Sequence, residues 1–328
     1  MKLLIASHKE VEELLPMNEC IPVMKEAFIA LARGEFEQPL RTIVRPPNVK
    51  GVMAMMPSYR GGEGSTFGLK AICVFPGNAA IGKDAHQGAV MLFDGTTGEM
   101  LAIANASAIT AIRTAAVSAL ATDGLANTDA SELALIGAGV QARFHLPAIS
   151  CVRNLRRVRV VANHYENARR FASEFAPHFA FPIEPAPSAE EAVRDADIII
   201  TATNAREPVL KREWISSGAH INAIGTFSPK AREIDSQTMT AATLFTDRRE
   251  SLFNEAGDYL LAAAEGAIDA DSVAAELGEV LMGKHCGRSS RAEITIFKSL
   301  GLAMEDLAAT AYVYRKATET KRGTWIEM

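Results

Sequence analysis

Three cations within the first 113 residues lie beside turn residues or small residues, where a charged side chain could bind a ligand or take part in catalysis. Arg41 follows a Pro-Leu pair, Lys70 follows a Gly-Leu pair, and Arg113 interrupts a segment of small and apolar residues. A guanidinium can bind a carboxylate through two hydrogen bonds, and a lysine on a buried strand can add charge or donate a proton. Spacing alone favours salt bridges at the surface for each cation, so binding of an anionic substrate is the second hypothesis.

Two other residues of this region also have side chains suited to a site. His86 lies in a polar loop and could relay protons or hold a phosphate, although a histidine in a loop usually does neither. Met55 belongs to the methionine-rich run 53–56, which is typical of a core or of a pocket wall. Ser58 and Ser228 lack a Gly-x-Ser-x-Gly motif, so the sequence predicts no serine nucleophile.

The clearest motif lies in mid-chain, where the apolar segment 132–136 runs into Gly-Ala-Gly-Val-Gln-Ala at 137–142. The pattern predicts a buried strand, a glycine turn and a helix. Gly137 permits the tight turn, Gly139 lets the backbone approach a pyrophosphate, and Ala142 lets helix and strand pack closely. The first N–H groups of the helix would face the phosphates. We therefore predict dinucleotide binding here, with an ordinary strand-to-helix turn as the alternative.

The end of the second strand of such a fold selects the cofactor, because an Asp or Glu there binds the ribose 2′-hydroxyl of NAD. This chain has Asn163 and His164 at that point, and no carboxylate. Both side chains can donate hydrogen bonds to a 2′-phosphate, and no acid repels it. We predict a preference for NADP(H), with NAD(H) also possible. An ordinary loop role for His164 is the alternative.

The elements that must position these residues follow two patterns. Residues 11–33 have the apolar spacing of a helix, and residues 40–105 consist of short strands and turns before an alanine-rich helix, 108–125. From residue 131 strands and helices alternate, as in a parallel sheet covered on both faces. The expected strands are 42–44, 51–56, 68–75, 89–94, 100–104, 132–136, 158–163, 179–183, 197–203, 219–225, 243–246 and 293–298. The expected later helices are 141–153, 165–176, 188–195 with a capping box of Ser188 and Glu191, two or three helices after 247, and 302–318.

We therefore predict the α/β class, with a Rossmann-type parallel-sheet domain plus an α+β domain for substrate binding and dimerisation. The long amphipathic helix at 302–318 is expected to return to the first domain. That domain would be discontinuous, 1–122 with 302–328, and the dinucleotide-binding domain would be 123–301.

Composition argues against several other classes of protein. The 328 residues include 34 basic and 39 acidic ones, a net charge of −5 without a basic block, so we expect no nucleic-acid or membrane partner. The four cysteines form no C-x-x-C motif, which suits reduced thiols rather than disulfides or a metal site. We expect no signal peptide and no membrane span, and a cytoplasmic location.

Several of these runs together resemble the ornithine cyclodeaminase/mu-crystallin family, over essentially the whole chain. The resemblance implies a homodimer joined through the first domains, with a small imino or amino acid substrate between the two domains of one subunit. The matching runs are 38–42, 56–59, the strand of Lys70, 86–87, 109–116, 136–142, 218–225 and 297–301.

The same resemblance implies the residues of the site. Arg41, Lys70 and Arg113 would surround the carboxylate of the substrate, and Lys70, or a water that it orients, is the candidate proton donor. The other substrate contacts expected are Met55, Phe227 and Leu300. The cofactor contacts expected are His86, Arg113, Thr114, Gly137, Gly139, Val140, Gln141, Asn163, His164, Thr203, Asn222, Ala223, Ile224 and Ser299.

Two departures from the family pattern decide between activities. Cyclodeaminases carry an aspartate where this chain has Phe227, and a glutamate where it has Ala54. Cyclisation needs a carboxylate to deprotonate the side-chain ammonium of ornithine, so ornithine cyclodeamination is disfavoured.

We therefore predict NAD(P)H-dependent reduction of a cyclic 2-imino acid, Δ1-pyrroline-2-carboxylate or Δ1-piperideine-2-carboxylate, to L-proline or L-pipecolate. The alternatives are ornithine cyclodeamination, reduction of a linear imino acid or amino acid dehydrogenation, and a non-catalytic role in binding NADPH and a small ligand.

Overall fold

The computed structural model describes residues 2–327, apart from the side chains at positions 79 and 80. It divides into two compact units, which we call unit 1 (Met1–Ala116 with Gly301–Met328) and unit 2 (Val117–Leu300). The boundaries lie six residues and one residue before those expected from the sequence. The first boundary falls inside an alanine-rich helix, which therefore has residues in both units.

Unit 1 contains one mixed sheet with helices. Its strands are β1 (Lys2–Ala6), β2 (Phe36–Glu37), β3 (Thr42–Val44), β4 (Val52–Arg60), β5 (Thr66–Val74), β6 (His86–Asp94), β7 (Met100–Asn105) and β16 (Thr324–Glu327). Its helices are α1 (His8–Leu14), α2 (Met17–Ala32), the first part of α3 (Ala106–Leu125), α11 (Ala303–Thr320) and a 3-10 turn at Pro76–Ile81. The strand order is β16-β1-β7-β6-β5-β4-β2, with β3 also paired to β4. All pairs are antiparallel except β1 with β7.

The two faces of this sheet differ in burial, because successive side chains of a strand point to opposite sides. Met56, Lys70 and Val90 form one cross-strand row and are all buried. Helix α11 packs against β4, β5 and β6. It comes so close that a Cβ on Gly68 would lie 2.9 Å from Leu307 Cδ1. We call the face that includes Lys70 the inner face, and the opposite one the outer face.

The outer face of the unit 1 sheet is apolar and only partly buried. Pro57, Leu69, Met91 and Ile103 follow one another across β4, β5, β6 and β7 in register, and each is half-buried. Beside this row Phe67 is 47% exposed. The sheet is therefore apolar on both faces.

The helix predicted over 11–33 is two helices in the structure. Proline restricts the residue before it to extended conformations, and Pro16 follows Leu15, the C-cap residue of α1. Pro16 itself then serves as the N-cap of α2. Strands β1, β2 and β16 are also additions, because the sequence patterns predicted no strand in those segments.

Unit 2 contains a parallel sheet of eight strands. They are β8 (Glu132–Ile136), β9 (Arg157–Val161), β10 (Ile183–Pro185), β11 (Ile198–Thr201), β12 (His220–Ala223), β13 (Thr243–Thr246), β14 (Val273–Glu276) and β15 (Thr295–Lys298). Its helices are the rest of α3, α4 (Val140–Ser150), α5 (Tyr165–Phe175), α6 (Ala189–Val193), α7 (Ser236–Ala241), α8 (Arg249–Glu255), α9 (Gly257–Ala264) and α10 (Leu277–Leu281). The strand order is β10-β9-β8-β11-β12-β15-β13-β14, and every pair is parallel.

Both faces of this sheet are covered by core residues, as the alternating pattern predicted. Along β11, Ile199 joins one apolar cluster while Ile198 and Ile200 join another. The chain order of the strands reverses between β8 and β11, and ligands of open parallel sheets bind at the carboxyl ends of the strands beside such a reversal. The predicted fold class, a Rossmann-type sheet with a second α+β unit, is confirmed.

Two local predictions for unit 2 are wrong. The strand expected at 179–183 is the shorter β10, because the rings of Phe179 and Phe181 contact each other and pack on the core from a loop. The capping box of Ser188 and Glu191 is half formed: the Ser188 hydroxyl accepts from the Glu191 N–H, without a described return bond. Among residues 2–327, no helix is long and apolar enough to cross a membrane.

Candidate functional site

The three cations identified in the sequence come together in unit 1. Lys70 lies on β5 and Arg113 on α3, and both are almost completely buried, while Arg41 between β2 and β3 is half-buried. Arg41 directly precedes β3, and its charge is one of those that lower the pKa of Lys70. We call Arg41, Lys70 and Arg113 the cation cluster. The prediction of surface salt bridges is therefore wrong for Lys70 and Arg113, whose salt bridges are buried.

Two acidic residues of α11 neutralise much of this charge. Asp306 Oδ1 lies 3.1 Å from Lys70 Nζ and 3.1 Å from Arg113 Nε. Glu305 Oε2 lies 2.6 Å from Arg113 Nη1. Neither carboxylate was predicted as part of the site, because both come about 190 residues after Arg113. The available signal was an acidic pair in the first turn of an otherwise apolar helix segment.

The cation cluster retains hydrogen-bond donors. Lys70 Nζ has three N–H groups and makes one hydrogen bond, and Arg113 Nη2 donates to none of the described residues. Arg41 Nη2 donates to the carbonyl oxygen of Gly301 at 3.0 Å. Lys70 and Arg113 therefore keep N–H groups for a further acceptor. Such a site suits one small anionic group, a carboxylate above all.

The electrostatics of the cation cluster lower two pKa values. Burial lowers the pKa of Lys70 to about 8, with Asp306 opposing the shift and Arg113 and Arg41 adding to it. Burial, together with Lys70 and Arg113, lowers the pKa of His86 to about 4. The imidazole is therefore neutral near pH 7. His86 therefore lies near Lys70 and Arg113 as an uncharged side chain, and its contact with the cofactor stays a prediction.

The structure also corrects the expectation for Met55. The register pairs Met55 with Ala71 and Met56 with Lys70, so Met55 lies on the outer face, away from the cation cluster. Met56 is the methionine of the inner face and is buried. Ala54 shares that inner face, and Thr114 follows Arg113 on α3 as a buried residue.

The predicted glycine turn has the expected conformation in unit 2. Gly137 has a φ of +115°, and a Cβ there would overlap the carbonyl oxygen of Ala202, so the position requires glycine. A Cβ on Gly139 would meet no described atom within 4 Å. Ala142 is completely buried, while Val140, the first residue of α4, is exposed. Space therefore remains at Gly139 and at the start of α4, where Gln141 also lies, for a pyrophosphate.

The end of β9 presents polar side chains to solvent. Asn163 and His164 are exposed, and His164 is the N-cap residue of α5 without a side-chain capping bond. No acidic residue stands at this point. The two side chains are available to a ligand that approaches the carboxyl end of β9.

The residues expected beside the nicotinamide differ in how they are placed. The backbone N–H and the hydroxyl of Thr203 bind Glu233, and Ile224 is half-buried. Asn222 and Ala223 are completely buried in β12, and Asn222 Nδ2 donates to Thr122 Oγ1 at 2.9 Å. The expectation that Asn222 and Ala223 line the cofactor is therefore corrected, because neither reaches the protein surface.

Three further residues lie after β12 and β15. Ser299 and Leu300 are nearly buried, and the N–H of Leu300 donates to Asp247 Oδ2 at 2.6 Å. Phe227 is half-buried and packs against the core of unit 2. Within residues 2–327, no group of three or more His, Cys, Asp or Glu residues could hold a metal ion.

Comparisons with known proteins give the same family. The model of the ornithine cyclodeaminase/mu-crystallin family matches residues 1–321. The chain is 38% identical to a Δ1-pyrroline-2-carboxylate reductase of Bacillus cereus, over 99% of this chain and 100% of the relative. It is also 38% identical to the ketimine reductase mu-crystallin of Mus musculus, over 94% and 95%.

Solved structures agree in fold along the whole chain. The structure of Thermococcus litoralis Δ1-pyrroline-2-carboxylate reductase in complex with NADH and L-proline is 39% identical, with a TM-score of 0.95 over 98% of this chain and 99% of that one. An archaeal alanine dehydrogenase dimer with bound NAD is 34% identical, with a TM-score of 0.93 over 100% of both chains.

Proposed function

The chain belongs to the ornithine cyclodeaminase/mu-crystallin family, and we propose that it reduces a cyclic 2-imino acid to the cyclic L-amino acid with a nicotinamide cofactor. Δ1-Pyrroline-2-carboxylate and Δ1-piperideine-2-carboxylate would give L-proline and L-pipecolate. The main supporting observation is the cation cluster, because the unused N–H groups of the buried Lys70 and Arg113 suit a single carboxylate. Reductases of such imino acids among the relatives support the same substrate class.

The residues of unit 2 fit a dinucleotide. A turn that requires glycine at 137, open space at 139 and the uncapped start of α4 match the needs of a pyrophosphate. When bound in reduced form, the nicotinamide would supply a hydride for the imine carbon. The pyrophosphate would then bind at the carboxyl end of β8, the ribose at that of β9, and the nicotinamide at that of β11.

The protein's own part in the reaction is to bind, orient and protonate. Arg113 and Arg41 hold the substrate carboxylate, and Asp306 fixes Lys70 Nζ and Arg113 Nε relative to each other. Reduction of a C=N bond consumes one hydride at carbon and one proton at nitrogen. Lys70, or a water that it orients, provides the proton, which a pKa of about 8 permits near neutral pH.

A substrate panel tests the proposal against its alternatives. We expect NADPH oxidation with Δ1-pyrroline-2-carboxylate or Δ1-piperideine-2-carboxylate, and none without substrate. Turnover only of pyruvate with ammonia would favour reduction of a linear imino acid. Release of proline and ammonia from L-ornithine with NAD(P)⁺ would favour the cyclodeaminase, which Phe227 and Ala54 disfavour because neither supplies a base. NADPH binding without any turnover would favour the non-catalytic role.

The cofactor preference is a first prediction. We expect a higher kcat/KM with NADPH than with NADH, because Asn163 and His164 are exposed and can donate to a 2′-phosphate. Asn163→Asp should lower kcat/KM for NADPH by about tenfold or more, since a hydrogen bond to a charged group contributes about 1.5–3 kcal/mol. NADH kinetics of the same variant are the control. Equal or better use of NADH by the unmodified protein would contradict the prediction.

A matched pair of glycine variants tests the dinucleotide site. Gly139→Ala should weaken NADPH binding while the protein keeps its melting temperature, because the new Cβ would point into space that the structure leaves open. Gly137→Ala should lower the melting temperature, because it places a Cβ on a residue with positive φ and against a carbonyl oxygen. Fluorescence titration and thermal unfolding measure the two effects. A Gly139→Ala protein with unchanged NADPH affinity would contradict the pyrophosphate site.

The outer face of unit 1 supports a homodimer. Its apolar row Pro57, Leu69, Met91 and Ile103, beside the exposed Phe67, is the kind of surface that a second copy covers. We expect light scattering to give the mass of two chains, and Leu69→Lys to give that of one. Thr96→Lys, at an exposed turn, should leave the dimer intact. A monomeric unmodified protein would contradict this assembly.

A further inference from the structure

One buried carboxylate of unit 2 has no role so far. Glu233, between β12 and α7, is completely buried, and its two oxygens accept four hydrogen bonds. Oε2 accepts from Thr201 Oγ1 at 2.9 Å and from the Gly225 N–H at 2.8 Å. Oε1 accepts from the N–H and the hydroxyl of Thr203, both at 2.7 Å. All the acceptor positions of this carboxylate are therefore used.

The donors come from the carboxyl ends of two neighbouring strands. Thr201 is the last residue of β11, and Thr203 and Gly225 each come two residues after the end of their strand, β11 and β12. A Cβ on Gly225 would overlap Glu233 Oε1, so only glycine fits at this position beside the carboxylate. Glu233 thus fixes the turns after β11 and β12 to each other.

A second acid and a lysine hold Glu233 in turn. Asp258 Oδ1 accepts from the N–H groups of Glu233 and Ile234, at 2.7 and 3.1 Å. Lys298 Nζ lies 2.8 Å from Asp258 Oδ2 and donates to the carbonyl oxygen of Thr226 at 2.8 Å. Burial raises the pKa of Glu233, and Lys298 opposes that rise. Burying two carboxylates and one ammonium together costs desolvation free energy. Apolar residues of similar size would stabilise the fold as well, so stability alone does not explain this group.

The turn that Glu233 fixes also touches the glycine turn. A Cβ on Gly137 would overlap the carbonyl oxygen of Ala202 and lie 3.5 Å from Thr203 Cγ2. The strand order reverses between β8 and β11, which is where a dinucleotide crosses such a sheet. The end of β9, with Asn163 and His164, lies on the other side of β8, away from Glu233. Glu233 therefore fixes only the part of the dinucleotide site that lies at β11 and β12.

From these contacts we infer that Glu233 is a positioning residue for the nicotinamide half of the cofactor. It holds Thr203 and Gly225 in the shape that receives the ring, and it leaves the adenine half untouched. The inference rests on the proposed dinucleotide function. The inference divides the dinucleotide site into a nicotinamide half and an adenine half. Only the nicotinamide half depends on the buried carboxylate of Glu233.

A pair of ligands separates the two halves experimentally. NADPH contains the nicotinamide, and 2′-phospho-ADP-ribose lacks it but keeps the adenosine and the pyrophosphate. In Glu233→Gln an amide NH₂ replaces one carboxylate oxygen, so two of the four donors lose their acceptor. We expect its Kd for NADPH to rise by about tenfold or more, by analogy with residues that orient metal ligands, whose loss weakens metal binding by about 10–100-fold. The Kd for 2′-phospho-ADP-ribose should change less than twofold.

Two threonine variants keep the test decisive even when Glu233→Gln folds poorly. Thr203→Val removes one of the four hydrogen bonds of Glu233, together with the bond that this hydroxyl accepts from the Ala205 N–H, and should give the same selective loss at smaller size. Thr203→Ser keeps the hydroxyl and should recover most of the NADPH affinity that Thr203→Val loses. Equal weakening of both ligands, or no weakening of NADPH, would show a merely structural role and overturn the inference. Failure of the unmodified protein to bind either ligand would overturn the proposed function as well.

Discussion

Arg113→Ala should lose nearly all reductase activity and should also unfold at lower temperature. Truncating one partner of a buried charge pair costs about 2–5 kcal/mol, so kcat/KM should fall by about 30-fold at least. The variant also removes the cation that Glu305 contacts at 2.6 Å and that Asp306 contacts at 3.1 Å. Breaking a buried pair costs about 3–5 kcal/mol of stability, which lowers Tm by on the order of 10 °C.

Kinetics, NADPH titration and thermal unfolding of one preparation separate these effects. NADPH affinity should change less than kcat/KM, because the glycine turn belongs to unit 2. Arg113→Lys keeps the charge but cannot reach Glu305 and Asp306 with separate nitrogens, so it should lose activity with a smaller fall in Tm. Arg156→Ala, at an arginine whose side chain is 75% exposed, is the surface control and should change neither. Near-normal kinetics of Arg113→Ala would contradict carboxylate binding by the cation cluster.

Asp306→Asn should move the alkaline limb of the activity profile to lower pH. Lys70 has a pKa of about 8, and its protonated form is the one that attracts a carboxylate and can donate a proton. Activity of the unmodified protein should therefore fall as pH rises through about 8. The charge of Asp306 raises the pKa of Lys70, so its removal lowers that pKa and the fall begins at a lower pH. If the limb moves down by about one pH unit, activity at pH 7.5 should drop by about threefold, and activity well above pH 8 by about tenfold.

Glu305→Gln is the matched control for this prediction. Glu305 binds Arg113 rather than Lys70, so its amide variant should leave the alkaline limb in place. The imine of the substrate titrates as well. The inhibition constant of cyclopentanecarboxylate, which has no nitrogen, should therefore be measured over the same pH range. An unshifted limb in Asp306→Asn would mean that Lys70 does not control the pH dependence.

The sequence could predict those parts of the site whose residues are close together along the chain, but not contacts between distant residues. The dinucleotide turn is local: the strand predicted at 132–136 is β8, and Gly137 and Gly139 follow at once. The cations of unit 1 could be identified by their unusual surroundings, but not their partners. Lys70 and Asp306 are separated by 236 residues, and no spacing rule connects them.

The sequence could not show on which face of a sheet a side chain lies, or how deeply a strand residue is buried. Both faces of the unit 1 sheet are apolar, so the run 53–56 does not say which methionine lies beside Lys70. A shift of one residue exchanges the faces, so the pattern does not separate Met55 from Met56. Strand β12 is buried on both sides, so its pattern does not distinguish Asn222, deep in the sheet, from Ile224, which comes just after it.

The split of unit 1 along the chain has a consequence for the order in which the protein can fold on the ribosome. Every residue of unit 2 has been translated before Gly301, whereas unit 1 still lacks α11 at that moment. Until this last helix emerges, β4, β5 and β6 lack the helix that packs on them, and Lys70 and Arg113 lack Glu305 and Asp306. Unit 2 can therefore finish first, and the cation cluster is assembled only at the end of synthesis, when Glu305 and Asp306 arrive.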